Sequence, residues 1–225
     1  MDRFSQQNQP FDDRQDAGRQ LGELLRERLD DDARADAVVL GLARGGIPVA
    51  YEVAKLLERP LDVFVVRKLG APGHEELAIG AIASGDVRVM NDDVVRQMRV
   101  GDDAIEEIAA QEREELQRRE QRYRGAREAV PLEGRPVIIV DDGLATGASM
   151  RAAVSALEQR NPSTIVVAVP TGAPDTCAMF EDMVDEVVCL QTPQPFGGVG
   201  RWYKSFPQTK DDEVTDLLEK SVSSA

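Results

Sequence analysis

Two adjacent carboxylates, Asp141 and Asp142, follow four apolar residues and open a loop of small ones, so that Val137–Ser149 reads VIIVDDGLATGAS. Such an apolar run suits a buried strand, and in open α/β sheets ligands gather at the C-terminal ends of strands. Gly143, Ala145, Gly147 and Ala148 leave room for backbone N–H groups to approach a ligand closely. Thr146 and Ser149 add hydroxyl donors. A helix starting near Gly147 would aim the positive end of its dipole into the same loop. Together these residues make a phosphate cup beside two carboxylates. The carboxylates suit ribose hydroxyls, directly or through a hydrated divalent cation. A strand–turn–helix junction with capping Asp and Thr uses the same residue types.

Two other segments carry charge next to strands. Ala43-Arg44-Gly45-Gly46 follows the apolar run Ala37–Leu42, with two glycines for backbone freedom and Arg44 for charge. A tight strand–helix turn would look alike. A dinucleotide fingerprint explains it worse, because the glycine spacing is absent and no suitable acid ends the next strand. Arg67 and Lys68 follow the strand candidate Leu61–Val66 and open residues 67–77, RKLGAPGHEEL, which read as a loop rich in Gly, Pro and charge. His74, Glu75 and Glu76 lie on it. Either glutamate could serve as a general base, while the lone histidine reads equally as an ordinary exposed residue.

These segments sit in an alternating pattern. Residues 10–30 place Ala17, Leu21, Leu24, Leu25 and Leu29 on one helical face. Strand candidates at Ala37–Leu42, Leu61–Val66, Val137–Val140, Thr164–Val169 and Glu186–Leu190 alternate with helical patterns, including one through Leu57 and one over Met150–Gln159. That order predicts an α/β fold with a five-stranded parallel sheet and right-handed crossovers. Ala78–Ala83 and Val87–Met90 flank Ser84-Gly85-Asp86 as a hairpin. Residues 102–124 form a charged helix whose thin stripe of Ile105, Ile108, Leu116 and Tyr123 suits a largely solvated flank better than a coiled-coil seam. From Thr192 onward the tail reads as irregular, and it holds the single tryptophan.

Composition bounds the function. The 225 residues suit one domain, taken as 1–225 with a core over about 37–190. A net charge of −14 argues against nonspecific binding of nucleic acid, whose backbone needs a basic surface. No apolar run is long enough to cross a membrane, and no secretory h-region opens the chain. Cys177 and Cys189 lack ligand spacing and read as reduced core residues, with the cytoplasm as the default compartment.

The thirteen residues of VIIVDDGLATGAS resemble the signature of type I phosphoribosyltransferases, which bind 5-phosphoribosyl 1-diphosphate (PRPP). The resemblance spans about residues 37–190. It implies that Asp141 and Asp142 hold the ribose 2- and 3-hydroxyls and orient Mg²⁺. It places the 5-phosphate on Ala145, Thr146, Gly147, Ala148 and Ser149, with Gly143 and Leu144 also in the PRPP-binding loop. It gives the diphosphate to Ala43, Arg44, Gly45 and Gly46, in a loop that often carries a strained peptide. It makes Arg67 and Lys68 the pair that opens a mobile loop closing over the leaving group. Enzymes of 6-oxopurines usually carry an Asp in place of Ala145, so the DDGLATG form looks more like the adenine enzymes and moves any base toward Glu75 and Glu76. A hood built from about 1–36 and 191–225 would choose the nucleophile. Its Phe196, Trp202, Tyr203 and Phe206 either stack on a planar acceptor or anchor the tail. The implied activity is Mg²⁺-dependent transfer of phosphoribose to a nitrogenous base, in a homodimer. A PRPP-binding regulator without turnover, or a hydrolytic or phosphorolytic variant, would use the same residues.

Overall fold

The computed structural model describes residues 9–30 and 34–222. Five strands form one parallel sheet: β1 (Val38–Leu42), β2 (Leu61–Phe64), β6 (Pro136–Val140), β7 (Thr164–Thr171) and β8 (Glu186–Gln191), in the spatial order β2-β1-β6-β7-β8. The predicted α/β class and parallel sheet are therefore present. Every residue of β1 is buried, as a strand covered on both faces requires.

The twofold alternation of each strand sorts the core into two layers. Val39, Val63, Ile138, Val140, Val166 and Val188 face one layer, with helices α1 (Arg14–Arg28), α2 (Gly46–Leu57), α4 (Asp102–Arg124) and α7 (Asp211–Val222). Val38, Leu40, Ile139, Val167 and Val169 face the other, with α5 (Ala148–Glu158) and α6 (Pro174–Glu181). The charged helix α4 buries Ile105, Ala109, Leu116 and Tyr123 and leaves most other positions to solvent.

Four expectations need correction. Residues 67–77 are not a loop. β3 (Val66–Ala71) and β4 (His74–Ala83) pair antiparallel around Pro72-Gly73, and β4 continues into the expected hairpin with β5 (Val87–Met90). Gly73 supplies the positive φ, +72°, that the turn needs. Buried Leu69, Ala71 and Ile79 drive the pairing despite the Gly and Pro content. The second correction follows from it: Leu61–Val66 is two strands, divided at Val65, because the chain leaves the parallel sheet there. Third, the tail is not wholly irregular. α7 packs Val214, Leu217 and Leu218 onto the core at helical spacing. A short helix α3 (Asp92–Met98), capped by the Asn91 side chain, also appears where no element was expected.

The fourth concerns the cysteines. Cys177 on α6 and Cys189 on β8 are joined as a disulfide, not held as separate thiols. α6 packs against β8 and brings the two sulfurs to the same side of Gly172, where an added Cβ would meet both.

Candidate active site at the end of the parallel sheet

β1 and β6 are neighbours in the sheet, and β2 lies on the far side of β1 from β6. The loops leaving the C-terminal ends of β1 and β6 therefore diverge, which is the switch point where α/β sheets form their ligand crevice. Both motif loops open there. Gly45 faces Asp142, and a Cβ on it would collide with the carboxylate. Gly46 packs on Val140 and Asp141 just as closely. The two loops touch because these residues lack side chains. The Ala43–Arg44 peptide, at the start of the first loop, is cis.

In the acidic loop, Asp141 Oδ1 accepts the Asp142 N–H at 2.8 Å. Burial at the strand end pushes the Asp141 carboxyl well above the usual carboxylate range, and the Asp142 charge adds to the effect. Burial also raises Asp142, against the opposing pull of the Arg14 guanidinium. Beyond the acids, Gly147 takes the left-handed conformation at φ +72° and opens α5. A Cβ there would also strike Thr176 and Phe180 of α6 at 2.9 and 2.8 Å. The Thr176 hydroxyl donates to the Ala145 carbonyl at 2.7 Å, so α6 braces the loop from behind. Ala145 and Thr146 stay exposed, and the side chains of Thr146 and Ser149 make no protein hydrogen bond among the described residues. The first turn of a helix leaves its N–H groups without intrahelical partners. The outcome is an open cup of donors beside two carboxylates.

The remaining predicted residues are less gathered. Arg44 lies 3.5 Å from Asp211 on α7. Arg67 is bound to Glu112 on α4, with contacts of 2.6 Å from both Nε and Nη2. Lys68 carries no partner among the described residues and lines a cavity of about 540 Å³ between the hairpin and α5, together with Ala148 and Arg151. Arg67 and Lys68 thus share no partner among the described residues. They are consecutive in a strand and point to opposite faces of it. Glu75 and Glu76 sit exposed at the start of β4, and no hydrogen bond or ion pair among the described residues ties either to the acidic loop.

The hood is built from both ends of the described chain. Phe11 bridges Tyr203, and the Phe11 N–H donates to the Trp202 carbonyl at 2.9 Å. The Tyr203 ring packs between Phe11 and Phe206, with centroids 5.5 and 4.8 Å away, and its hydroxyl donates to the Asp142 carbonyl at 2.6 Å. Tyr203 is buried and engaged on both sides, as the anchoring alternative expects. Trp202 Nε1 donates to the Phe196 carbonyl at 3.0 Å, and both rings stay partly exposed. Val199, in the 3₁₀ turn Val199–Trp202, presses on Gly143.

One site residue escaped the sequence reading. Arg14 reaches from α1 to Asp142, with Nε and Nη2 at 2.9 and 2.8 Å from Oδ2. A signal existed: Arg14 precedes Ala17 by three and Leu21 by seven, which puts a cation on the buried stripe of α1.

A family model of the phosphoribosyl transferase domain matches residues 10–200. The chain belongs to the phosphoribosyltransferase family. Two curated Mycobacterium tuberculosis proteins, provisionally named phosphoribosyl transferases, are each 50% identical to this chain over 211 residues, or 94% of it. The chain spans about half the length of those relatives, 47%. The crystal structure of TT1426 from Thermus thermophilus is 42% identical, with a TM-score of 0.81, covering 94% of this chain and 98% of that one. A Neisseria gonorrhoeae protein solved with bound ppGpp shares the fold, at 17% identity and a TM-score of 0.50 over 95% of each chain. No described helix is long and apolar enough to cross a membrane.

The donors also fit the divalent cation implied for this family. No group of three or more His, Cys, Asp or Glu side chains that could hold a metal occurs among the described residues. Asp141 Oδ2 and Asp142 Oδ1 make no protein hydrogen bond among them, which leaves two hard oxygens on adjacent residues. That set suits Mg²⁺, which takes one or two carboxylates and completes its shell with water and substrate phosphate.

Proposed function

We propose that this phosphoribosyltransferase moves 5-phosphoribose from PRPP to a nitrogenous acceptor and releases diphosphate. The observation that carries the reading is the meeting of the acidic loop and the Gly45-Gly46 loop at the switch point, with the open cup of α5 beside them. Asp141 and Asp142 would take the ribose hydroxyls and hold Mg²⁺, which supplies charge neutralisation at the phosphates. The N–H groups of α5 with Thr146 and Ser149 would hold the 5-phosphate. Ala43, Arg44, Gly45 and Gly46 would hold the diphosphate. As the anomeric C–O bond breaks and the C–N bond forms, negative charge grows on the diphosphate, and preorganised donors lower that barrier most. Phe196 and Trp202 offer the faces left for a planar acceptor. The whole chain would act as one domain, as a homodimer and in the cytoplasm, without nucleic acid or membrane.

The second reading is PRPP binding without turnover, and the paired state of Arg44 and Arg67 favours it. Two cations expected at the leaving group are already neutralised by Asp211 and Glu112, and Glu75 and Glu76 stand apart. One experiment separates the two. PRPP with Mg²⁺ is offered with a panel of purine, pyrimidine and simpler nitrogen acceptors, while binding and diphosphate release are followed. Release with any acceptor supports transfer, binding with none supports the regulator, and no binding refutes both. Thr146→Ala should weaken PRPP binding about tenfold, the loss expected for one hydrogen bond to a charged group.

A further inference from the structure

We infer that Arg14 is a positioning residue of the PRPP site, fixing the Asp142 carboxylate so that one defined oxygen faces the ligand. The inference rests on the proposed PRPP reading and deepens it. Both guanidinium contacts end on the same oxygen, Asp142 Oδ2, at 2.9 and 2.8 Å. Oδ1 is left without a protein partner among the described residues. The same Oδ2 leans on Gly45, so the carboxylate is held between α1 and the diphosphate loop.

Arg14 is itself immobilised. Its Nη1 donates to the Pro207 carbonyl at 2.7 Å. Its guanidinium stacks on Phe206, 3.8 Å from the ring centroid. The residue is 9% exposed, and the Tyr203 hydroxyl holds the Asp142 main-chain carbonyl. With all three guanidinium nitrogens committed to protein, Arg14 acts through Asp142 and does not touch ligand.

Two consequences follow for a phosphorylated ligand. A free aspartate would rotate, and its charge would repel the diphosphate across the narrow gap to Gly45. Arg14 removes both problems, by fixing the rotamer and by neutralising the charge in a partly desolvated place where Coulomb terms are strong. A lysine keeps the charge but cannot fork, so it should recover only part of the effect.

The test is PRPP affinity, measured calorimetrically in the presence of Mg²⁺, for wild type, Arg14→Gln, Arg14→Lys and Lys204→Gln. Lys204 is a control. It ties the hood to Asp12 at 2.6 Å in an exposed pair and does not contact the acidic loop. Arg14→Gln should raise the Kd about tenfold or more, since breaking a buried pair strands its partner. Arg14→Lys should fall between it and wild type, and Lys204→Gln should stay within about twofold of wild type. The emission of Trp202, the single tryptophan, reports whether the hood is seated in each variant. Unchanged affinity in Arg14→Gln overturns the inference. Equal losses in Arg14→Gln and Lys204→Gln also overturn it, because hood integrity or net charge would then suffice. If Arg14→Gln does not fold, Arg14→Lys decides alone, and wild-type affinity in it overturns the forked positioning. A wild type that binds no PRPP overturns the underlying reading, and the inference with it.

Discussion

Replacing Gly46 by alanine should destabilise this protein and weaken PRPP together. The residue starts α2, and its added Cβ would lie 2.5 Å from the Val140 carbonyl oxygen, 2.9 Å from Asp141 Cα and 3.2 Å from Asp141 Oδ1. The two nearest atoms belong to backbone, so no rotamer change relieves them. Reaching ordinary contact needs the end of β6 and the start of α2 to part by nearly an ångström. Overpacking of that size costs about 1–3 kcal/mol. A chain of this length loses roughly 2–4 °C in Tm per kcal/mol, so the melt should fall by about 2–12 °C. The same shift moves Asp141 relative to the loops, and PRPP affinity should drop about tenfold or more, given how steeply bound geometry governs such sites. Gly22→Ala is the internal control of sign. Its Cβ would meet Leu56 and Val53 at 3.4 Å, an ordinary contact, and glycine inside a helix gives up about 1 kcal/mol to alanine. Circular-dichroism melts and PRPP titrations of both variants provide the readout. A Gly46→Ala protein that melts at or above the wild-type temperature and binds PRPP normally would show that the two loops do not depend on this approach.

Two further outcomes test the scaffold. The Tyr123 side chain is buried, its hydroxyl donates to Asp211 at 2.6 Å, and its pKa is pushed up to about 12 from its ordinary 10.0, by desolvation first and the acceptor second. The folded protein holds this proton where the unfolded chain releases it. Stability should therefore fall by up to about 2 kcal/mol between pH 10 and 12; urea melts should show Tyr123→Phe losing that slope, and an identical slope would refute the assignment. Asp62, on the edge strand β2, accepts from Arg124 at 2.9 Å, from Val63 at 2.7 Å and from Val130 at 3.1 Å. Asp62→Ala leaves Arg124 Nε and the Val130 N–H without their acceptor, while Glu120 and the Val63 carbonyl keep Nη1 and Nη2, so it should cost about 1–3 kcal/mol in urea denaturation; no measurable loss would mean that the pair behaves as a solvated one.

The parallel sheet and the acidic loop could be read from the chain because their signals are local. A run such as VIIV is buried wherever it lies, and the order of strands and helices restricts the topology. The hairpin was hidden because Gly70, Pro72 and Gly73 dominate its composition, while the apolar side chains that pair its strands are spaced by two and few in number. α7 was hidden differently. Val214, Leu217 and Leu218 give a clear helical spacing, but the glycines, prolines and aromatics before them drew the whole tail into one irregular reading. At the site, position along the chain identified the acids but not their neighbours. Arg67 and Lys68 looked like a pair, yet strand geometry separates them, and only the assembled tertiary structure shows that Arg67 meets Glu112. Arg14 and Asp142 lie 128 residues apart, a distance no motif spans.

The hood has a consequence for how the protein is made. Arg14 and the Pro207 carbonyl that steadies it are 193 residues apart, and the Phe11–Tyr203 bridge closes the same long loop. At roughly 5–20 residues per second, a ribosome needs on the order of 10–40 s to travel from one to the other. During that time α1 can dock on α2 and the sheet can form up to β8, while Asp142 waits for its Tyr203 and Arg14 for its Phe206. The crevice is therefore completed later than the strands that carry it, and a chain interrupted before Tyr203 would hold all five strands of the sheet with an unfinished site.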